Sequence, residues 1–427
     1  MPAAILPPSA LKSLAVDLTP VLPAGQNGGA KVFALELVRH LAARAPGTQF
    51  VLLTQSASHG ELAALDAANV RRILVVGAAT SSLRASLFAV ASALMSLAPP
   101  GLRRVMARAG SRVNAALKRR GARNMLHTLG TDLLFCPFTA PTYREAGIPV
   151  VCTIYDLQYR AHPEFFAISD AVQRERALDE ACAAAAKLVA ISDFTREAAI
   201  AECNLDPQRI TTIYMRLASG NRLAPERDGG ALARLALEEG NFLLYPANFW
   251  KHKNHEVLLQ AFLMARTMGL HAQVRLVCTG APGERMDALR SLTRELGLAD
   301  HVVFPGFLPD DELGALMARC RGVIYPSLYE GFGLPVIEAM ACGVPVACSR
   351  ATALPEVAAD AALYFDPRDA AAIADAMMSL ANDGELRARL IAAGKKRAAE
   401  FADPDRMASE YWALFEDALD AMRAGRG

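Results

Sequence analysis

The chain has 427 residues, is 53% hydrophobic and carries a formal net charge of +1. That length is natural for two domains, and no uncharged apolar run reaches the ~18–20 residues of a membrane span, so no membrane-spanning helix is expected. Prolines interrupt the start of the chain where a signal peptide needs its hydrophobic region, and the eight cysteines include no C-x-x-C pair. We therefore expect a cytoplasmic protein with reduced thiols.

The first predicted elements are a strand at 14–16, a glycine turn at 26–29 and a helix from Lys31 to Ala43. A glycine turn before a helix is suited to binding an anion, because the first N–H groups of the helix are free and lie at the positive end of its dipole. Asn27, Gly28 and Gly29 are therefore candidates for an anion contact. A plain turn with a helix cap is the alternative.

Positive charge is concentrated in the first half, where residues 1–220 carry 23 Lys and Arg against 16 Asp and Glu. Residues 67–131 contain eleven Lys and Arg and no Asp or Glu, with arginines at every fourth residue from Arg104 to Arg112 on one face of a predicted helix. This pattern favours anionic lipid head groups, so residues 83–123 are a candidate contact with the inner face of the plasma membrane. A solvated helix face is an equal alternative. Nucleic acid is disfavoured because Phe88 is the one aromatic residue available for base stacking.

An apolar run at 150–154 predicts a core strand that ends at Tyr155 and Asp156. Side chains at the carboxyl end of a parallel strand face the ligand crevice of an α/β sheet. Both residues are therefore candidates for ligand contact, and a turn cap is the alternative for Asp156.

A second domain is predicted to open with a strand at 242–246, followed by a loop that carries Lys253. An ammonium in such a strand-to-helix loop can neutralise a diphosphate. Gly280 and the pair Phe307–Leu308 follow two further predicted strands in the same manner. We interpret His252 and His255 as a poor metal site, because two histidines without a carboxylate partner are too few ligands for a metal ion.

The stretch from Val323 to Cys348 predicts a strand, a glycine loop, a helix and a strand. Pro335 suits the first turn of the helix, because its missing N–H costs nothing there. Glu330 and Glu338 flank this anion cradle, and a carboxylate beside a phosphate site is suited to accept hydrogen bonds from sugar hydroxyls. The pair predicts a ligand with a sugar on each side of a diphosphate.

The segment EGFGLPVIEAMACGVPV, in which Glu330 and Glu338 are spaced E-x7-E, closely resembles the signature of retaining family-4 glycosyltransferases of the GT-B fold. The resemblance implies an α/β architecture of two doubly wound Rossmann-like domains that face a central cleft. It further implies that Glu338 holds the ribose hydroxyls, that Glu330 and the backbone of Gly331–Leu334 hold the donor sugar and diphosphate, and that Lys253 neutralises the phosphates.

The resemblance also assigns expected roles to the other candidate residues. The expected donor-binding residues are Asn248, Lys253, Gly280, Phe307, Leu308, Glu330, Gly331, Phe332, Gly333, Leu334 and Glu338. The expected catalytic residues are Glu330, Lys253, Asp156 as orienter of the acceptor hydroxyl, and Tyr155. The loop of Asn27, Gly28 and Gly29 is expected to contact phosphate or acceptor, and no metal or cofactor is expected.

This sequence departs from the family pattern in two places. Tyr155 stands where the family commonly has histidine, although a tyrosine hydroxyl can still bind a sugar. Ala247 and Asn248 lie where many members have an arginine that binds phosphate, so a second cation is missing or comes from elsewhere, such as Lys251.

The predicted domains are an acceptor-side domain at 1–218, a linker at 219–240, a nucleotide-sugar-binding domain at 241–404 and a terminal helix at 405–427. The resemblance implies that this helix packs back on the first domain. The predicted reaction moves a hexose, with mannose favoured, from a nucleotide-diphospho-sugar to a saccharide or polyprenyl-linked acceptor in surface polysaccharide biosynthesis. Retention and metal independence are expected from the resemblance.

Two alternatives stay open. Gly331-x-Gly333-x-x-Val336 is most of a dinucleotide fingerprint, and Arg350 follows the next strand where an NADP-binding arginine can sit. These features would suit an NADP-dependent oxidoreductase, although the third glycine is absent. A nucleotide-sugar-binding protein without catalysis is the other alternative, favoured by Tyr155 and the missing arginine.

Overall fold

A computed structural model describes residues 10–23, 28–77, 122–217 and 230–424. They form two compact units, which we describe separately. The first unit extends to Tyr214 and resumes at Asp405, and the second extends from Met215 to Pro404. The chain therefore passes between the units twice.

The first unit contains a parallel sheet of seven strands in the order β3-β2-β1-β4-β5-β6-β7. Its strands are β1 (Ser13–Asp17), β2 (Gln49–Gln55), β3 (Val70–Val76), β4 (Leu133–Cys136), β5 (Val150–Ile154), β6 (Lys187–Ala190) and β7 (Ile210–Thr212). Every residue of β1, β4 and β5 is buried, because helices cover both faces of a parallel sheet and favour continuous apolar runs.

The longer helices of the first unit are α1 (Gly29–Arg44), α2 (Ile168–Ala184) and α3 (Asp193–Cys203). Shorter helical turns lie at Ser56–His59, Glu61–Leu65, Met125–Thr128, Gln158–Ala161, Pro163–Phe165 and Pro207–Arg209. The Ser192 hydroxyl caps α3 by accepting a hydrogen bond from the N–H of Thr195. The predicted helices at 83–98 and 102–118 lie outside the described residues.

The second unit contains a parallel sheet of six strands in the order β10-β9-β8-β11-β12-β13. Its strands are β8 (Phe242–Pro246), β9 (Arg275–Thr279), β10 (Val302–Gly306), β11 (Gly322–Tyr325), β12 (Val346–Ser349) and β13 (Ala362–Phe365). The sheet confirms the predicted α/β class, and β8 has the predicted bounds.

The longer helices of the second unit are α4 (His255–Thr267), α5 (Glu284–Glu295), α6 (Asp310–Arg319), α7 (Leu334–Ala341), α8 (Ala370–Asn382) and α9 (Gly384–Ala399). Shorter turns lie at Ala231–Arg234, Lys251–Lys253 and Leu354–Ala358. The first of them falls within the predicted linker 219–240, where Arg234 pairs with Glu312 of α6 at 2.5 Å. Residues 218–229 lie outside the described part of the chain.

The final helix, α10 (Pro404–Ala424), packs against the sheet of the first unit. The rings of Tyr411 and Phe415 lie 5.4 Å and 5.2 Å from the ring of Phe135 in β4. The Tyr411 and Thr153 hydroxyls are 3.1 Å apart, and Lys187 pairs with Asp417 at 2.6 Å. The apolar face of α10 thus completes the core of a unit from which it is far removed in sequence.

Candidate functional site

In the second unit, β8 and β11 are neighbours in the sheet. The next strand after β8 in the chain, β9, lies on one side of this pair, and the next strand after β11, β12, lies on the other side. Such a reversal of strand order leaves a crevice at the carboxyl ends of the strands, where α/β sheets bind their ligands. The loop after β8 carries Asn248 and Lys253, and the loop after β11 carries residues 330–334. The topology therefore places two predicted donor-binding segments at one edge of the sheet.

Lys253 and Glu330 form an ion pair at this edge. The Nζ atom of Lys253 lies 2.6 Å from Oε1 of Glu330, and the two side chains are only 10% and 11% exposed. Lys253 also donates to the phenol oxygen of Tyr325 at 3.2 Å, and its carbonyl accepts from the Tyr245 hydroxyl at 2.7 Å. Burial raises the pKa of both phenols, so they remain neutral. The charged group that contacts the Lys253 ammonium is therefore the Glu330 carboxylate, since the phenols beside it are neutral.

Thr352 supports the Glu330 loop, and no sequence pattern marks it for this role. Its hydroxyl oxygen accepts a hydrogen bond from the backbone N–H of Glu330 at 2.9 Å, and Ala353 donates to the Glu330 carbonyl at 3.4 Å. The φ angle of Thr352 is +53°, a left-handed conformation that is unfavourable for a β-branched residue. Such conformations cost on the order of 1–3 kcal/mol and persist where the surrounding contacts enforce them. Thr352 is therefore a positioning residue for Glu330.

Gly333 joins this loop to α7 with a φ angle of +98°. A Cβ at this position would lie 2.4 Å from Cδ2 of Leu354, so both the conformation and the available space favour glycine. Pro335 occupies the first turn of α7, as predicted from its missing N–H. The start of α7 is thus held against the segment that contains Thr352.

Glu338 lies one turn into α7. Burial, then the charge of Glu330 and, more weakly, that of Glu338 raise the pKa of Tyr325, so both carboxylates lie near this phenol. The ring of Phe332 is buried and packs on that of Phe401 at 5.7 Å. Any donor contact from residue 332 would accordingly come from its backbone, as it would from Gly331. The donor role of Leu334, the first residue of α7, also stays a prediction.

Asn248 and Gly280 connect the loops that follow β8 and β9. The Oδ1 atom of Asn248 accepts the N–H of Ala281 at 2.9 Å. A Cβ on Gly280 would lie 2.6 Å from the carbonyl oxygen of Ala247, so the two backbones approach too closely for a side chain. Asn248 therefore braces two loops in the neighbourhood where many members of the resembling family have an arginine, and Lys251 nearby is exposed. The donor-binding roles of Asn248 and Gly280 stay predictions.

Phe307 and Leu308 follow β10 and differ in exposure. Phe307 is 59% exposed, whereas the Leu308 side chain is buried. A contact between Leu308 and a base would consequently involve its backbone, which is the form of recognition that the family resemblance implies. Both roles stay predictions.

Tyr155 and Asp156 follow β5 in the first unit. The Tyr155 hydroxyl donates to the Ala30 carbonyl at 3.4 Å, and its ring packs edge-on against Phe33 at 5.9 Å. Burial raises the pKa of this phenol, so it stays protonated. The Oδ1 atom of Asp156 accepts the N–H of Gln158 at 2.9 Å, which is the turn cap weighed as the alternative. Their roles toward an acceptor remain predictions.

Gly28 and Gly29 lie at the start of α1. Gly28 precedes the helix with a φ angle of +57°, and its carbonyl accepts the N–H of Lys31 at 3.2 Å. The Lys31 ammonium pairs with Glu61 at 2.6 Å. This cation of the first turn is thus engaged within the unit, and the contact of the glycines with phosphate or acceptor stays a prediction.

Two predictions fall on residues outside the described ranges. Asn27 is one, and the candidate membrane contact at 83–123 is the other, except for its last two residues. No helix in the described ranges is long and apolar enough to cross a bilayer.

The described residues contain no group of three or more His, Cys, Asp or Glu that could hold a metal ion. His255, one of the two histidines beside Lys253, is packed between the rings of Tyr245 and Phe249. Burial, followed by nearby positive charges, lowers its pKa to about 3, so the ring is neutral at ordinary pH.

Comparison with known proteins gives matches for both units. A family model described as "Glycosyltransferase Family 4" matches residues 27–215, and one described as "Glycosyl transferases group 1" matches residues 233–397. Among solved structures, Anabaena Alr3699/HepE in complex with UDP and glucose superposes with a TM-score of 0.68 at 17% identity, covering 95% of this chain and 100% of that chain. At this identity the similarity is one of fold.

Several curated relatives are at least 30% identical to this chain over part of its length, among them one of Escherichia coli and one of Frankia alni. O-antigen chain mannosyltransferase B of Escherichia coli is 33% identical over 253 residues, which are 59% of this chain and 66% of that protein. D-inositol 3-phosphate glycosyltransferase of Frankia alni is 30% identical over 273 residues, which are 60% of this chain and 66% of that protein. The chain thus spans slightly less than two thirds of the length of each relative.

Proposed function

Because this chain belongs to the family-4 glycosyltransferases of the GT-B fold, we propose that it transfers a hexose from a nucleotide-diphospho-sugar to a hydroxyl of a saccharide or polyprenyl-linked acceptor. Mannose is the favoured sugar and surface polysaccharide biosynthesis the favoured setting, since one relative is named an O-antigen chain mannosyltransferase. The basic tract at 83–123 is the proposed contact with an anionic membrane surface, which co-flotation with anionic liposomes would test.

The observation that supports transfer best is the buried pair of Lys253 and Glu330 beside the start of α7. The Lys253 ammonium and the positive end of the α7 dipole provide positive charge where a diphosphate leaving group would develop negative charge. Glu330 and Glu338 provide acceptors for sugar hydroxyls on either side. Transfer without a metal ion is part of the proposal, and no residue is proposed as a covalent nucleophile.

Retention of the anomeric configuration is part of the proposal and rests on the family resemblance. Asp156 would orient the acceptor hydroxyl, and Tyr155 would donate or accept a sugar hydrogen bond from the first unit. The two family matches favour transfer over the NADP-dependent oxidoreductase alternative.

The test is a thermal-shift panel of GDP-mannose, UDP-glucose, UDP-GlcNAc, GDP, UDP, NADP and NAD on the wild type and Glu338→Ala. A ligand at about 100 times its dissociation constant adds roughly 2.7 kcal/mol to the free energy of unfolding. We expect one nucleotide-sugar to stabilise the wild type and Glu338→Ala to lose that stabilisation, because the carboxylate would no longer hold the ribose.

Glu295→Ala is the matched control, because Glu295 is an exposed glutamate at the end of α5. It should keep the full shift. A shift with NADP alone, insensitive to Glu338→Ala, would contradict the proposal. Nucleotide-sugar binding without transfer to any saccharide or polyprenyl-phosphate acceptor would favour the non-catalytic alternative.

A further inference from the structure

A cavity of about 380 Å³ lies in the first unit, beside the helical turn Met125–Thr128. Residues 122–124 and His127 form one wall, and residues 143–146, which connect β4 to β5, form the other. The volume falls within the roughly 300–1,000 Å³ that is usual for small-molecule sites. The residues that line the cavity were not assigned above to the donor or the acceptor, although 122 and 123 end the candidate membrane contact.

Hydrogen bonds and core packing hold the two walls together. The Glu145 carboxylate accepts the N–H of Leu126 at 3.1 Å with one oxygen and the N–H of His127 at 3.0 Å with the other. The Nε2 atom of His127 lies 3.0 Å from the carbonyl oxygen of Ala146. Leu126 and Tyr143, one from each side, are buried in the core of the unit. The frame of the cavity is therefore set by the fold.

Arg123 and Arg144 give the cavity its positive charge. Both residues are exposed, and within the described ranges of the chain neither guanidinium pairs with a carboxylate. Arg72 of the same unit, by contrast, binds the Asp66 carboxylate with two of its nitrogens. The carboxylate in the cavity wall, that of Glu145, already accepts two backbone N–H groups. Positive charge is consequently in excess at this cavity.

Two guanidinium groups at one cavity favour a phosphate monoester as ligand. A guanidinium presents its N–H groups in a planar fork that matches the oxygens of a phosphate. A phosphate monoester carries a charge of about −1.5 to −2 at pH 7 and three acceptor oxygens, so both guanidinium groups can bind it at once. A carboxylate has a single charge and two oxygens, which one arginine satisfies.

We propose that this cavity binds a phosphate monoester through Arg123 and Arg144, at a site separate from that of the nucleotide-sugar. The ester can be a soluble sugar phosphate or a lipid phosphate at a membrane surface, because both present the same group. The proposal does not depend on sugar transfer, since binding is measured without a nucleotide-sugar.

The first test is calorimetric titration of the full chain with mannose 6-phosphate, with mannose as the uncharged control. We expect the wild type to bind the phosphate ester alone, and Arg123→Gln and Arg144→Gln each to bind about tenfold more weakly, because each loses a charge-assisted contact. Arg144→Lys should be intermediate, since it keeps the charge but not the fork. Arg71→Gln should match the wild type, because Arg71 is an exposed arginine of β3 that does not line the cavity.

The second test distinguishes the two sources of the phosphate. Phosphatidylcholine vesicles with phosphatidic acid present a lipid monoester, and vesicles matched in total charge with phosphatidylglycerol present a diester. A lipid ligand predicts that the wild type floats better with phosphatidic acid and that Arg123→Gln/Arg144→Gln loses this preference. Binding to mannose 6-phosphate alone assigns the cavity to a soluble ester.

Three results would overturn the proposal. One is a wild type that binds neither the sugar phosphate nor phosphatidic acid in preference to phosphatidylglycerol. Another is a double variant that binds as tightly as the wild type. The third is an equal loss in Arg71→Gln, because binding would then follow total charge and not the cavity. Circular dichroism and the melting temperature establish that each variant is folded.

Discussion

At the scale of the residue, the Lys253 ammonium pairs with the Glu330 carboxylate in this structure and would bind a diphosphate when the proposed donor binds. Glu330 is separated from Lys253 by 77 positions in the chain, yet it lies 2.6 Å away and is almost fully buried. A diphosphate would bring negative charge toward Glu330, so donor binding would require the two anions to share one cation. Glu330 would consequently limit how tightly a bare nucleotide binds if the proposed donor site is correct.

Replacing Glu330 with Gln tests this competition. Glu330→Gln leaves a buried ammonium without its counter-charge, so we expect the free energy of unfolding of the ligand-free protein to fall by about 1–3 kcal/mol. Stabilisation by GDP or UDP should increase, because Lys253 is released, while sugar transfer should decrease. Thermal shifts with and without nucleotide, together with a transfer assay, measure the three effects. Weaker stabilisation by the nucleotide diphosphates would contradict the interpretation.

Thr352 permits a second residue-scale prediction with a matched pair of variants. Thr352→Val keeps the branched shape but leaves the N–H of Glu330 without its acceptor, so we expect a loss of about 1–2 kcal/mol in the free energy of unfolding. Thr352→Ser keeps the hydroxyl and should be close to neutral. Transfer activity should follow the same order, because Thr352 acts through Glu330. Equal activity and stability of the two variants would mean that the hydrogen bond does not position Glu330.

The difference between Lys253 and Thr352 shows what the sequence can predict about the site. Lys253 and Glu330 are charged residues in loops after apolar strands, so each could be recognised separately. Their direct contact depends on the register of β8 and β11, so it could not be predicted from the sequence. Thr352 could not be recognised either, since a β-branched residue rarely adopts a left-handed conformation and local propensity predicts the opposite.

At the scale of the element, α10 is joined to the first unit by its aromatic face. Phe415 is fully buried, and its ring lies 5.2 Å from that of Phe135. We expect Phe415→Ala to reduce the free energy of unfolding of the first unit by about 3–5 kcal/mol, because it leaves a cavity on the sheet. Asp420→Ala on the same helix is the control, since its side chain is 77% exposed. It should change stability by less than about 0.5 kcal/mol.

Calorimetry with the stabilising nucleotide-sugar separates the two units in this experiment. If the ligand is held by the second unit, Phe415→Ala should lower the transition of the first unit while the ligand-dependent transition persists. A loss below about 1 kcal/mol would mean that α10 contributes little to the core of the first unit.

At the scale of the whole molecule, the sequence predicted the α/β class and the family, and both are confirmed. Short apolar runs that end in glycine loops are sufficient to predict the α/β class, because parallel strands buried on both faces are continuous apolar segments. The unit boundary after Tyr214 was harder to locate, because residues 215–217 carry no turn signal. They join the second unit through backbone contacts, such as the N–H of Leu217 donating to the Phe401 carbonyl at 2.9 Å.

The placement of α10 has a consequence for synthesis. A ribosome makes the chain from its amino end, and domains commonly fold in that order as they emerge. Here the hydrogen bond between Thr153 and Tyr411 can form only after Tyr411 has been made, 258 positions later. The whole second unit is translated in between. The nascent first unit therefore leaves the apolar surface around Phe135 uncovered until α10 has been translated. The second unit is complete before the first, and chaperones have a defined surface to protect in the interval.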